Sequence, residues 1–188
     1  MIEIQKSIEL RKARLTDIPA LLELINAYAS GGIMLPRTEF EMAENIRDFE
    51  VAIDDAGQLV GCGALHFYTS GSGEVRSLAV DPALKIHGIG RLLVQALETE
   101  ALAHDLEAVF AFTYVPGFFR KLGFLEIDRE ELPLKAWKDC LRCPKFQACD
   151  EIAMLKRFRA GRAVAAPIRK AANLIEIEEM PRLAVLQK

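Results

Sequence analysis

The stretch Glu74 to Arg91, EVRSLAVDPALKIHGIGR, constrains the fold more than any other part of the chain. Val75, Leu78, Ala79 and Val80 form a short apolar run that stops at Asp81-Pro82, the pattern of a buried strand ending in a turn. Beyond the turn, Gly88 and Gly90 open an amphipathic helix whose apolar residues Ile89, Leu92, Leu93, Ala96 and Leu97 recur at helical spacing. A strand feeding a glycine-containing loop that opens a helix is a device for holding phosphate. Glycines let backbone N–H groups converge on an anion, and the N–H groups of the first helical turn add a positive dipole end. The stretch therefore predicts an anionic, pyrophosphate-bearing ligand. A turn that binds nothing has the same local pattern, so the rest of the chain must decide.

The 188 residues suit one domain with a short appendage and suffice for a substantial core. With 51% hydrophobic and 27% charged residues, the composition is that of a folded globular chain and argues against disorder. No apolar run approaches the ~18 residues that span a bilayer, and MIEIQKSIELRKAR lacks the apolar stretch of a signal peptide. A cytoplasmic location without a membrane partner is expected. A net charge of -3 provides no general attraction to nucleic acid. Between Ile152 and Ile175, Lys156, Arg157, Arg159, Arg162, Arg169 and Lys170 form a basic run whose one aromatic is Phe158. Without a series of stacking rings, this run reads as a solvated or packing surface before a nucleic-acid or lipid site.

Taken in order, Ile8 to Ala13 alternates as a first strand, and Thr16 is placed to cap a helix with the stripe Ile18, Leu21, Leu22, Ile25 and Tyr28. Gly31-Gly32 ends it. Thr38 and Glu41 then spell a capping box for a second helix to about Arg47. Strands are expected over Glu50 to Ile53 and Gln58 to Phe67, joined by the turn Asp54-Asp55-Ala56-Gly57, with TSGSG at 69 to 73 as the next turn. Later elements are a strand over Val109 to Tyr114, a short helix over Pro116 to Lys121 closed by Gly123, and strands over Phe124 to Ile127 and Glu151 to Leu155. Residues 130 to 150 read as irregular. A strand, two helices and an antiparallel meander make a mixed α/β (α+β) chain, not a repeated dinucleotide-binding unit.

This order of elements, with SLAVDPALKIHGIGRLLVQALE and FFRKLGF, resembles the GNAT superfamily of acetyl-CoA-dependent N-acetyltransferases. The resemblance implies a mostly antiparallel twisted sheet whose middle strands splay to admit acetyl-CoA. It implies that Lys85, Ile86, His87, Gly88, Ile89, Gly90 and Arg91 hold the pyrophosphate, with Lys85 standing where the family motif has Arg or Gln. It also implies that the backbone of Leu78, Ala79 and Val80 pairs with the pantetheine arm, as an added strand would. The blocks LPR at 35 to 37, NIRDF at 45 to 49, GCGALH at 61 to 66, EVRSLAV at 74 to 80 and KDCLRCPKFQACDEIAML at 138 to 155 resemble the small stand-alone N-acetylglutamate synthase type. That narrower resemblance implies a small amino-acid acceptor, L-glutamate, acetylated on its α-amine at the entry to arginine biosynthesis.

The chemistry needs a base for the ammonium proton, donors for the acyl oxygen and a proton source for the thiolate. Glu74 matches the family's base position. Arg37 and Arg76 are the expected carboxylate clamps, because a planar guanidinium binds a carboxylate through two hydrogen bonds. Lys138 is a third candidate. Many relatives carry a Tyr where this chain has Phe119, which cannot donate a proton, so Thr113 and Tyr114 are the substitute acids. Cys140, Cys143 and Cys149 have the spacing C-x2-C-x5-C; three reduced thiols packing a loop is the first reading and a metal site the second. The expected division is an acetyltransferase domain over residues 1–156 and a basic extension over 157–188. Another amine acceptor, a non-catalytic acyl-CoA sensor and a homodimer all stay open at this point.

Overall fold

The computed structural model describes residues 8–132, 141, 143, 145 and 148–158, with residues 85–87 described by backbone alone. Among the described residues seven strands form one sheet in the order β1-β2-β3-β4-β5-β7-β6. They are β1 (Ile8–Lys12), β2 (Phe49–Asp54), β3 (Leu59–Phe67), β4 (Ser72–Val80), β5 (Ala108–Thr113), β6 (Leu125–Glu126) and β7 (Ile152–Arg157). Among the described residues four α-helices accompany them: α1 (Ile18–Ser30), α2 (Glu39–Asn45), α3 (Ile89–Ala103) and α4 (Pro116–Lys121). All neighbouring strands are antiparallel except β4 and β5. Their parallel pairing follows from α3, which carries the chain back across the sheet between them.

Alternation along the strands divides the core into two sides. Val51, Cys62, Ala64 and Ala79 pack with Leu21 and Ile25 of α1 and Met42 of α2. Leu65 and Val75 turn the other way, toward Val94, Leu97 and Ala101 of α3. The GCG run in β3 lets α3 lie close: a Cβ on Gly61 would sit 3.1 Å from side-chain atoms of Ile89 and Leu93, and one on Gly63 3.2 Å from Leu97. In α3 the buried stripe is Ile89, Leu93, Val94, Leu97 and Ala101. Leu92, assigned to that stripe from spacing, is exposed, because the stripe follows the 3.6-residue period one position later, through Val94.

The local signals hold in part. Thr38 and Glu41 form the expected reciprocal capping box of α2, and Gly57 and Gly123 take the positive φ that their turns require. Thr16 is not the cap of α1. A 3-10 turn over Leu15–Asp17 precedes that helix, and the Asp17 N–H donates back to the Arg14 carbonyl at 2.9 Å. The carboxylate of Asp17 accepts from the Arg14 backbone N–H at 2.7 Å and from both terminal nitrogens of Arg11, at 2.7 and 2.9 Å. β4 begins at Ser72, inside the segment read as a turn, because the Tyr68 and Thr69 N–H groups both donate to the Ser72 carbonyl and tighten the reversal. β7 extends to Arg157, and the Phe158 N–H donates to the Glu107 carbonyl at 2.8 Å.

Candidate active site

β4 and β5 pair over three residues only: Ser72 with Ala108, Gly73 with Val109, and Glu74 with Phe110. Past Glu74 the two strands part. A cleft of about 1100 Å³ opens between their C-terminal halves, lined by Val75 to Leu78 and Val80 on one side and Phe112 to Val115 on the other. Phe118 and Phe119 of α4, the loop from Gly32 to Arg37, and Gly88, Gly90 and Arg91 complete much of its wall. The splay leaves the edge of β4 that faces β5 beyond its last paired residue, which is the edge an extended ligand arm requires.

Glu74 stands at the apex. It pairs with His66 on β3 and with Phe110 on β5, so it is the last β4 residue held from both sides. Its side chain lines the cleft although the residue is only 8% exposed, and Tyr68 donates a hydrogen bond to Oε2 at 3.0 Å. Two residues on, Arg76 lies on the same side of the strand. Its Nη2 donates to Asn45 Oδ1 at 3.2 Å and lies 3.6 Å from Asp48 Oδ2, and that same carboxylate oxygen lies 2.6 Å from His66 Nδ1. α2 and the 3-10 turn Ile46–Asp48 that follows it thus aim the guanidinium.

Arg37 comes from the loop between α1 and α2, whose course is fixed by α1 itself. The Asn26 amide donates to the Arg37 carbonyl at 3.0 Å, and its oxygen accepts from the Arg37 N–H at 2.9 Å. Those two bonds hold the backbone of Arg37 where its side chain lines the cleft. Tyr28, assigned from its spacing to packing, also reaches across: its hydroxyl donates to the Val80 carbonyl at 2.6 Å.

Thr113 and Tyr114 lie on the opposite wall. The Thr113 hydroxyl accepts from the Val115 N–H at 3.0 Å. Lys145 donates to the Tyr114 hydroxyl at 3.1 Å and stands 4.7 Å from the centre of its ring. Burial raises the Tyr114 pKa, partly offset by the bond from Lys145, so the phenol keeps its proton through neutral pH. Glu151, beside them, is also pushed up by burial.

At the opening of α3, the segment read as a loop winds as a 3-10 turn over Pro82–His87, with Asp81 Oδ1 accepting from the Ala83 N–H at 2.9 Å. Gly88 then takes φ +76°, a left-handed conformation suited to glycine, and α3 begins at Ile89. Gly90 is set against α4, where a Cβ would lie 3.4 Å from the Phe118 ring. The side chains of Lys85, Ile86 and His87, and all of Lys138 and Cys140, lie outside the described residues. Cys143 and Cys149 line the cleft as free thiols, and among the described residues no group of three or more His, Cys, Asp or Glu side chains is placed to hold a metal.

The cleft brings together Glu74, Arg37, Arg76, Thr113, Tyr114, Leu78, Val80, Gly88, Gly90 and Arg91 from four separate parts of the chain. Among its described lining residues five are cationic (Arg37, Arg76, Arg91, Arg129, Lys145) and two acidic (Glu74, Glu151). This surplus suits an anionic ligand. Sequence reasoning missed Tyr68, Asn26, Arg129 and Lys145; only the polar character of Asn26 within an apolar helix pattern could have singled one out.

Residues 19–124, more than half of the chain, match the family model for acetyltransferases of the GNAT type. The chain belongs to this GNAT acetyltransferase family. A GNAT relative, an uncharacterized N-acetyltransferase of Chlorobaculum tepidum, is 47% identical over 78% of this chain and 94% of its own length. An amino-acid acetyltransferase of Mycobacterium tuberculosis is 39% identical over 70% of this chain and 76% of its own length. Among solved structures, N-acetylglutamate synthase of Neisseria gonorrhoeae, complexed with coenzyme A and N-acetyl-glutamate, superposes with a TM-score of 0.74. It is 26% identical over 81% of this chain, which spans 35% of that longer protein. A Mycobacterium tuberculosis protein in complex with CoA superposes with a TM-score of 0.70 at 33% identity, over 80% of this chain and 99% of its own.

The GNAT fold with its splayed strands, and a family whose co-substrate is acetyl-CoA, make this protein an acetyl-CoA-dependent N-acetyltransferase of the amino-acid acetyltransferase type. Its residues fit that co-substrate. A strand edge bordering the splay, a glycine-opened helix and a cation-rich cleft meet the needs of the arm and the phosphates in turn. No helix among the described residues is long and apolar enough to cross a membrane.

Proposed function

We propose that the protein acetylates the α-amine of an acidic amino acid, L-glutamate being the acceptor the site suits best, and that it serves arginine biosynthesis in the cytoplasm. The observation that carries this reading is the convergence of Arg37 and Arg76 on the cleft that holds Glu74. Two guanidinium groups near one buried carboxylate match a substrate with two carboxylates and one ammonium. The relatives named amino-acid acetyltransferase and the neighbour bound to N-acetyl-glutamate support it.

Acetyl-CoA supplies an acyl thioester. Pyrophosphate is assigned to the segment Lys85, Ile86, His87, Gly88, Ile89, Gly90 and Arg91, and the pantetheine arm to the backbone of Leu78, Ala79 and Val80. Glu74 takes the proton of the α-ammonium, directly or through a water, so that the nitrogen lone pair can bond to the acyl carbon. As that bond forms, charge gathers on the acyl oxygen. The return of that charge breaks the carbon–sulfur bond, Tyr114 or Thr113 passes a proton to the departing sulfur, and the second nitrogen proton, released as the amide forms, restores that hydroxyl through solvent. Arg37 and Arg76 hold the acceptor, with Lys138 as a further cation for the same task.

A second reading, an uncharged acceptor side chain such as that of glutamine, is favoured by Asp48, whose carboxylate stands 3.6 Å from Arg76 and offsets its charge. Measuring acetyl-CoA-dependent thiol release across a panel of amino acids separates the two. For the first reading, kcat/KM for glutamate should exceed that for alanine by roughly a hundredfold, the worth of one charge-assisted pairing, and exceed that for glutamine as well. Equal rates with glutamate and alanine would overturn the assignment of an acidic acceptor.

A further inference from the structure

We propose that Tyr68 is a positioning residue for acetyl transfer: its hydroxyl holds one oxygen of the Glu74 carboxylate and keeps that buried group ionised, ready to take a proton, near neutral pH. The assignment rests on the reading of Glu74 as the base and adds the group that sets the pH range over which it works.

Three strands bring the acid and the phenol together. Glu74 on β4 pairs with His66 on β3 and with Phe110 on β5, so the three side chains project as a row from one face of the sheet. Tyr68 comes two positions after His66, and its N–H donates to the Ser72 carbonyl at 3.1 Å, closing the reversal into β4. Its ring meets His66 edge-on at 5.0 Å between centres and lies 5.6 Å from the Phe110 ring. The two residues that fix the Glu74 backbone therefore also fix the Tyr68 ring. The result is the 3.0 Å bond from the Tyr68 hydroxyl to Glu74 Oε2.

A phenylalanine would make the same ring contacts. The hydroxyl of a packed tyrosine needs a polar partner, and here the partner is the proposed base. Tyr68 is not among the described residues of the cleft wall, so it reaches the reaction through Glu74 and not through a substrate.

Glu74 has use for such a donor. It is 8% exposed and stands in a row with aromatic rings, surroundings that favour the protonated carboxyl. A protonated Glu74 cannot accept the ammonium proton. A hydrogen bond given to the ionised form opposes burial, and one from a phenol to a carboxylate is of the strong, charge-assisted kind. Other groups also act on Glu74. His66, with Asp48 at 2.6 Å from its Nδ1, faces it from β3, and Arg76 follows it on β4. The cleft adds Arg37, Arg91, Arg129 and Lys145 as cations and Glu151 as an acid, with Tyr114, Cys143 and Cys149. All of these stay in place when only the Tyr68 hydroxyl is removed, so that change isolates its effect.

The test uses the full-length protein with Tyr68→Phe, which keeps the ring, and with Tyr68→Phe combined with Glu74→Gln. Losing a hydrogen bond to the ionised form raises the pH at which the carboxyl gives up its proton. The acid limb of the kcat profile should therefore move up by about one pH unit. On that limb kcat falls about tenfold; above it kcat stays within about twofold of the parent, as do KM for acetyl-CoA and the calorimetric Kd for CoA. In the Glu74→Gln background, adding Tyr68→Phe should change the residual kcat by no more than about twofold, because the group it acts through is gone. An acid limb that stays in place would overturn the assignment. So would an equal loss at every pH, which a merely structural role produces, or a further tenfold loss in the Glu74→Gln background. The underlying reading is checked separately. No turnover by the parent with any amino acid, or parent-like turnover in Glu74→Gln, overturns both, whereas a slow Glu74→Gln enzyme beside an unmoved limb in Tyr68→Phe overturns the Tyr68 assignment alone.

Discussion

At the scale of single residues, the site is organised by Glu74, a buried acid at the point where two strands separate. The strand pairing on both sides fixes its backbone, and the Tyr68 hydroxyl fixes one carboxylate oxygen at 3.0 Å. If Glu74 is the base, Glu74→Gln keeps the shape and removes the proton acceptor. The expected result is a fall in kcat of roughly 10²- to 10⁴-fold, with KM for acetyl-CoA little changed and the acid limb of the pH–rate profile flattened. A turnover number that matches the parent from pH 6 to 9 would remove Glu74 from that role. Glu74, Arg37 and Arg76 were legible in the sequence because family-matching blocks carry them. Tyr68 and Tyr28 were not. Each acts through a hydrogen bond to a partner set by the fold, and Tyr28 reaches Val80 across 52 positions, where no local pattern records it.

At the scale of elements, capping boxes, glycine turns and apolar runs placed nearly every strand and helix, because each is a contest decided within a few residues. The bulge at Ser77, where the β3–β4 register shifts, and the short β4–β5 pairing were not visible, since register depends on what the partner strand offers. The loop that carries Arg37, proposed to hold the acceptor, depends on α1 in the same nonlocal way. Asn26→Ala removes both bonds to the Arg37 backbone, and should raise KM for the acceptor roughly fivefold, the worth of about 1 kcal/mol, while Kd for CoA measured by calorimetry stays put. Asp17 ties α1 to β1. The Arg11 guanidinium, bonded to its carboxylate, holds the Asp17 pKa below the ordinary range, assisted by the Arg14 N–H. A depressed carboxylate stabilises the folded state above the unfolded pKa of about 4, and that contribution is lost as the pH falls through the depressed folded value. Asp17→Ala should therefore cost about 1–2 kcal/mol in urea unfolding at pH 7, and the difference from the parent should shrink as the solution is acidified below about pH 4. A constant difference across that range would mean that Asp17 acts without its charge.

At the scale of the whole molecule, two charge distributions oppose each other. The chain carries a net -3, yet the described lining of the cleft carries five cations against two acids. The overall charge weakly repels an anionic substrate at long range, and only the low-dielectric, cation-lined cleft reverses the sign, focusing attraction at the mouth between β4 and β5. Composition could not reveal this, because the cations come from the loop after α1, from β4, from the start of α3 and from the segments around Arg129 and Lys145. Salt separates the local field from the contacts. Ions screen the approach of a phosphate-bearing substrate over a Debye length of about 10 Å at 0.1 M, but act little on groups already in contact within the cleft. Raising the ionic strength from about 0.02 to 0.3 M should lower kcat/KM for acetyl-CoA roughly three- to tenfold while kcat at saturation stays within about twofold. Charge reversal at Arg91, an exposed lining residue at the start of α3, should reproduce much of that loss at low salt and leave little more to lose at high salt. If kcat/KM proved indifferent to salt, or if Arg91→Glu fell in parallel with the parent at every salt concentration, the cleft would be binding its substrate by contact alone, without the focused field.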